Sequence, residues 1–243
     1  MKVTDIIRSG ENKRYTVIKE IATVNRPNAH VYLCEDENGQ RFIAKYFYNR
    51  PPMPYVAYAK YNHYGRRRDG SRMVFEEIKK ASKSYEFIID HFERIRYNGK
   101  WVIILQYIEG ITLTDFIKNN KTDKVALSAA VAALARTLSE WHSNGFAHGD
   151  PHLDNSIIDT SDGQNFKVYL IDYCQIHQSG FHYCKHFKCF TPDPEKRMDE
   201  DLINPSKRFG KGFKFEISQF SKNLGYADDL DIVFEESYSR QLI

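Results

Sequence analysis

A chain of 243 residues, 42% hydrophobic and 28% charged, has enough apolar mass to bury a core, in one compact unit or in two small lobes sharing a cleft. Its net charge of +3 suits an anionic partner such as a nucleotide and is too weak to imply a nucleic-acid binder. No apolar run approaches the roughly 18 to 20 residues of a membrane span.

Residues 1–9 contain no apolar stretch of the kind a signal peptide needs, so the expected location is the cytoplasm, with contact at the inner face of a membrane allowed. In that setting Cys34, Cys174, Cys184 and Cys189 are read as thiols. The 16 Tyr and 16 Phe are assigned mostly to core and cleft wall.

In chain order, residues 17–21, 30–35 and 41–47 read as three short strands. Glu37-Asn38-Gly39-Gln40 joins the last two as a hairpin, because Asn-Gly readily takes positive φ. Residues 48–70 are polar and rich in Tyr and Arg, and Pro51, Pro52 and Pro54 exclude regular structure at their start. A helix is expected over 71–83, with Ser71 as cap and Met73, Ile78 and Ala81 loosely periodic.

A second hairpin, 87–96 with 100–107, turns at Asn98-Gly99. Helices follow over 112–118 and 123–143, then a loop over 146–155. Strands 156–159 and 167–171 meet across Ser161-Asp162-Gly163. Residues 227–240 alternate apolar and acidic side chains in the manner of an amphipathic helix that closes the core. Strands with one helix, then mostly helix with a small hairpin, make an α+β pattern with two lobes and no internal repeat.

The sharpest chemical signal is His148-Gly149-Asp150-Pro151-His152-Leu153-Asp154-Asn155, followed by Leu170-Ile171-Asp172. Phosphoryl transfer needs a carboxylate to orient the attacking hydroxyl, oxygen ligands to hold magnesium against the nucleotide phosphates, and a cation to steady those phosphates. An Asp followed five residues later by an Asn, and then by a second Asp after an apolar strand, supplies the first two. Asp150 would orient the hydroxyl or accept its proton, and Asn155 and Asp172 would bind the metal. The structural alternative, Asp150 as a helix cap and Asp172 in a turn, leaves the spacing unexplained.

This pattern resembles the catalytic and metal-binding loops of protein-kinase-like enzymes. The Gly after His is similar to aminoglycoside and choline phosphotransferases. The Asp-Pro-His form resembles bacterial lipopolysaccharide-core sugar (heptose or Kdo) kinases and the atypical kinases linked to ubiquinone biosynthesis. The resemblance covers roughly residues 15–175 and implies further roles. Phe42-Ile43-Ala44-Lys45 is similar to the third-strand Val-Ala-Ile-Lys motif, so Lys45 would pair with the α- and β-phosphates. Glu77 on the following helix would be its carboxylate partner, with Glu76 the alternative. Gln106, Tyr107 and Ile108 match the hinge between lobes, where backbone groups would bind adenine.

Several features depart from the resemblance. Residues 22–29, expected to cover the phosphates, contain no glycine, the residue that lets backbone amides approach closely; Arg26 and Asn28 there are read as a solvated turn that could also meet phosphate. Asp150 and Asp172 lie 22 positions apart, longer than the family norm. Tyr173-Cys174 replaces Phe-Gly, and no Ala-Pro-Glu segment occurs in the 71 residues after Asp172. The platform that docks peptides on protein kinases is therefore expected to be missing.

Other clusters are read more plainly. His177, His182, Cys184, His186 and Cys189 have the types for zinc but match no common spacing, and are taken as a substrate-facing or packing loop. Arg66, Arg67 and Arg68, preceded by Tyr55, Tyr58, Tyr61 and Tyr64, are a solvated basic turn that could meet an anionic glycan or membrane. Residues 196–202 are faintly similar to the C-terminal part of lipopolysaccharide sugar kinases. His148 is expected to support the loop.

The expectation is an α+β, bilobal, protein-kinase-like fold. Residues 1–109 form an antiparallel-sheet nucleotide-binding lobe with one helix, and 110–243 a reduced, mainly helical catalytic lobe. The chain would use ATP and Mg2+ to phosphorylate a hydroxyl of a lipopolysaccharide-core sugar or related glycan. An atypical protein kinase, a catalytically dead pseudokinase acting as a binding module, and an antibiotic phosphotransferase are the alternatives. The basic stretch at Arg66 disfavours the last of these, since an aminoglycoside calls for acidic residues.

Overall fold

The computed structural model describes residues 1–10, 12–22, 29–47, 75–76, 79–144, 148, 152–162, 165–172, 212–226 and 229–239. The chain divides into two compact units, Met1–Tyr107 and Ile108–Ile243. The architecture is α+β: an antiparallel-sheet unit comes first and a mainly helical unit second, the element order expected of a protein-kinase-like fold.

Among the described residues of the first unit, six strands form one sheet: β1 (Ile6–Arg8), β2 (Arg14–Ala22), β3 (Ala29–Glu35), β4 (Arg41–Phe47), β5 (His91–Tyr97) and β6 (Lys100–Gln106). Their order is β1-β2-β3-β4-β6-β5, antiparallel throughout. The Asn-Gly signals act as local chemistry dictates. Asn98 and Gly99 both take positive φ (47° and 74°) at the β5–β6 turn. At the β3–β4 turn only Gly39 does so (φ 78°), and the Asp36 carboxylate accepts the Asn38 and Gln40 amides, each at 2.9 Å.

Alternation along β4 sorts the core. Phe42 and Ala44 face a cluster with Ile7, Tyr15, Val17, Tyr32, Cys34, Ile95, Val102 and Ile104. Ile43 and Phe47 face the other side with Phe75, Ile103 and Leu105. The sheet curls until β1 meets β5, and the buried Tyr15 hydroxyl donates to Glu93 Oε1 at 2.6 Å across the closure. β1 was not expected from the sequence. The expected strand at 87 begins at His91, because 86–87 form a turn that buries Phe87 and Ile88 beforehand.

The second unit opens with a three-stranded sheet of order β7-β8-β9, from β7 (Ile111–Thr112), β8 (Ser156–Asp159) and β9 (Lys167–Leu170). Helix α1 (Leu113–Asn119) follows β7 directly, capped by the Thr112 hydroxyl on the Asp115 amide. Helix α2 (Lys124–Ser143) starts at an Asp123 side-chain cap and is buried along Leu127, Val131, Leu134, Leu138 and Trp141. Helices α3 (Phe213–Leu224) and α4 (Asp229–Ser239) follow, with α4 packed on α2. Ser139 Oγ donates to the Tyr238 carbonyl at 2.8 Å, and the His142 ring meets the Tyr238 hydroxyl at 2.6 Å. Among the described residues, no helix is long and apolar enough to cross a membrane.

Candidate active site

In the first unit, Lys45 stands between Val31 of β3 and Ile103 of β6. It shares the face of Ile43 and Phe47, and its Nζ lies 5.9 Å from the Phe47 ring centroid. Phe75 of the helical residues 75–76 and 79–82 packs on that same face. Lys79 of this helix donates to the Phe92 carbonyl at 2.7 Å. Glu76 is exposed and Glu77 lies outside the described residues. Strand β6 ends at Gln106, which is doubly tied to Asp90: its amide donates to the Asp90 carbonyl at 2.9 Å, and its Oε1 accepts the Asp90 amide at 3.1 Å. Tyr107, Ile108 and Glu109 then run without regular structure, with the Arg41 guanidinium 5.9 Å above the Tyr107 ring.

In the second unit, the described residues of the loop-and-hairpin motif form one connected piece. Leu153–Asn155 make a 3-10 turn that leads straight into β8. The register Ser156 with Leu170 continues one step beyond the ladder, and the Ile171 amide donates to the Asn155 carbonyl at 2.8 Å. Asp172 is next in the chain after that bond. Its φ of 56° is left-handed, a conformation Asp carries more readily than most residues. Asn155 is buried. Its amide donates to the His152 carbonyl at 2.8 Å, and its side-chain Oδ1 is buried with no hydrogen bond on that atom.

His148 is fully buried. Its Nε2 lies 2.9 Å from the Ile171 carbonyl, and a carbonyl only accepts, so Nε2 carries the proton. Its ring packs against Trp141 of α2 (centroids 5.9 Å apart) and Phe213 of α3 (5.5 Å apart). This is a supporting role, tying the loop to the residue before Asp172. Asp150 lies outside the described residues, as do Arg26, Asn28, Tyr55, Tyr58, Tyr61, Tyr64, Arg66, Arg67, Arg68, the His177–Cys189 cluster and residues 196–202. Among the described residues, no group of three or more His, Cys, Asp or Glu could hold a metal ion.

Sequence reasoning missed Glu216 of α3, whose Oε2 accepts the Leu153 amide at 2.7 Å, and Phe213 one turn before it. The helix itself was not expected from the sequence, although the spacing Phe213, Ile217, Phe220, Leu224 is a signal that could have found it. Its partner in the loop has no such signal, since the two residues are 63 positions apart.

An asparagine amide and an aspartate carboxylate at the end of a hairpin are hard oxygen donors, the set that suits magnesium. Comparison with known proteins finds similarity to kinase-like domains. Residues 94–191 match the ABC1 atypical kinase-like domain. The chain is 26% identical over 100 residues to AarF domain-containing kinase 1 of Drosophila melanogaster, a match covering 40% of this chain and 19% of that protein. A solved structure, Rad53 1-466 in complex with AMP-PNP, superposes at a TM-score of 0.49 with 14% identity, covering 94% of this chain and 48% of that one. The similarity to the atypical kinase-like domain thus takes in β5 from Arg94 onward, β6 and the whole stretch from His148 through Asn155 to Asp172.

Proposed function

We propose that this chain is an ATP- and magnesium-dependent phosphotransferase that moves the γ-phosphate of ATP to a hydroxyl group. The observation that supports this reading is the hydrogen bond from the Ile171 amide to the Asn155 carbonyl, which joins the main chain at Asn155 to the residue before Asp172. Magnesium bound by Asn155 and Asp172 would neutralise charge on the transferring phosphoryl group. Asp150 orients the acceptor hydroxyl and takes its proton. Lys45 steadies the phosphates, with Glu77 as its partner. The Gln106 amide is bonded to Asp90, so main-chain recognition of adenine draws on the Gln106 carbonyl with Tyr107 and Ile108.

The finer reading of the acceptor is a glycan hydroxyl, such as a lipopolysaccharide-core sugar. It rests on the Asp150-Pro151-His152 form of the loop and on the basic Arg66–Arg68 stretch. The description of the matched domain names no acceptor. An atypical protein kinase is the second reading, favoured by the atypical kinase-like match over residues 94–191. Either reaction draws on cytoplasmic ATP.

The test is magnesium-dependent ATP binding and turnover by wild type, Asp150→Ala and Asp172→Asn, over glycan, aminoglycoside and protein acceptors. Transfer by wild type that is lost in Asp150→Ala supports the reading, and the accepted substrate names the class. A wild-type protein that neither binds ATP with magnesium nor transfers phosphate overturns it, and leaves a pseudokinase binding module.

A further inference from the structure

The 3-10 turn that presents Asn155 has no cap of its own: His152, at the capping position, makes no side-chain cap bond. A first-turn amide inside a protein needs an acceptor. Here the acceptor arrives from far along the chain, as Glu216 Oε2 takes the Leu153 amide at 2.7 Å. Glu216 and Phe213 are three residues apart on α3 and so lie on one helix face. Phe213 is fully buried against the His148 ring.

These contacts close a circuit. Phe213 packs on His148, and His148 bonds the Ile171 carbonyl. The Ile171 amide bonds the Asn155 carbonyl, and Asn155 ends the turn whose first amide returns to Glu216. Every link but one is a packing contact or a neutral hydrogen bond. The Glu216 link alone uses an ionisable carboxylate, whose charge strengthens the bond.

We propose that Glu216 is a positioning residue: by capping the Leu153–Asn155 turn from α3, it fixes where the Asn155 side chain stands relative to Asp172. The catalytic consequence rests on the phosphotransferase reading given above; the mechanical part does not. Loss of such a support on a metal-binding residue costs roughly 10- to 100-fold in metal affinity or activity. A glutamine at 216 keeps an oxygen acceptor in the same place and restores the cap.

The experiment compares the full chain as wild type, Glu216→Ala, Glu216→Gln and Lys214→Ala. The last removes a side chain on the same helix that pairs with Glu235. Two quantities are read: amide hydrogen exchange over 153–156 in the protein alone, and the magnesium concentration that half-saturates ATP turnover. Glu216→Ala is expected to speed exchange at 153–156 and to raise the half-saturating magnesium roughly 10-fold or more, with a smaller change in KM for ATP. Glu216→Gln and Lys214→Ala should stay close to wild type in both.

Unchanged exchange in Glu216→Ala overturns the proposal, as does equal impairment of the Ala and Gln variants. Accelerated exchange in Glu216→Ala alone, together with a wild type that shows no turnover, sustains the cap and removes the phosphotransferase reading instead.

Discussion

Gly110 lies at the start of the second unit, one residue before β7, and a methyl group there has nowhere to go. A Cβ at this position would stand 2.3 Å from the Ile158 carbonyl oxygen, 2.9 Å from Ile157 Cγ2 and 3.0 Å from the Ile158 carbonyl carbon. The obstacle is backbone in the middle of a sheet, with β7 on one side and β9 on the other. Ile158 is fully buried, so β8 cannot give way. The strand that must move is β7, which pairs only Ile111 with Ile158 and Thr112 with Ile157.

Moving β7 strains that short ladder and disturbs the Thr112 cap on α1, each contact being worth about 1 kcal/mol. Overpacking of this kind costs about 1 to 3 kcal/mol, and two disturbed contacts place Gly110→Ala at about 2 kcal/mol. For a chain of this size that lowers Tm by roughly 4 to 8 °C. Thermal melting followed by circular dichroism measures it, with Gly10→Ala as control, since a Cβ at Gly10 meets nothing within 4 Å. If Gly110→Ala melts within about 1 °C of Gly10→Ala, the close approach of 110 to β8 is wrong.

Two further outcomes follow from titrating groups. Burial pushes the Cys34 thiol up to about 12, so native Cys34 should resist iodoacetamide at neutral pH and label only on unfolding. Its stabilising contribution is present below the ordinary thiol value and fades as pH rises towards 12; mass-mapped native labelling at the unfolded rate would contradict this. The Asp159 carboxyl is held below its usual range by the Ser161 amide, which donates to Oδ1 at 2.9 Å, and then by the Ser161 hydroxyl. That contribution exists above the normal carboxylate range and is lost as pH falls through the lowered value. Asp159→Asn should therefore be less stable than wild type at neutral pH and equal to it in acid, and a gap that persists in acid rules this out.

Elements whose signal is local were legible in the sequence. β4 and β8 have the bounds that alternation and turn residues indicate, and at β4 the cause is Gly39, which imposes its geometry on the turn just before the strand. β1 was not legible: three residues with one buried side chain carry no period, and the strand exists because Ile7 completes a core built by β2, β3, β4, β5 and β6. The same division holds in the candidate site. The spacing of Asn155 and Asp172 is written in the sequence, and the hairpin joining them is short. The Glu216 cap and the Phe213–His148 packing are tertiary, and no local pattern encodes which amide a carboxylate 63 residues away will meet.

The left-handed backbone at Asp172 bears on how its chemistry can be probed. Alanine there removes the carboxylate and also sets a Cβ-bearing residue with no compensating side-chain polarity at φ 56°, so a loss of activity would mix two causes. Asparagine carries the same φ at little cost and differs only in charge. Glycine relaxes the backbone and deletes the donor altogether. A series of Asn, Gly and Ala at this one position therefore separates electrostatics from conformation, a separation that a residue in ordinary extended backbone does not offer.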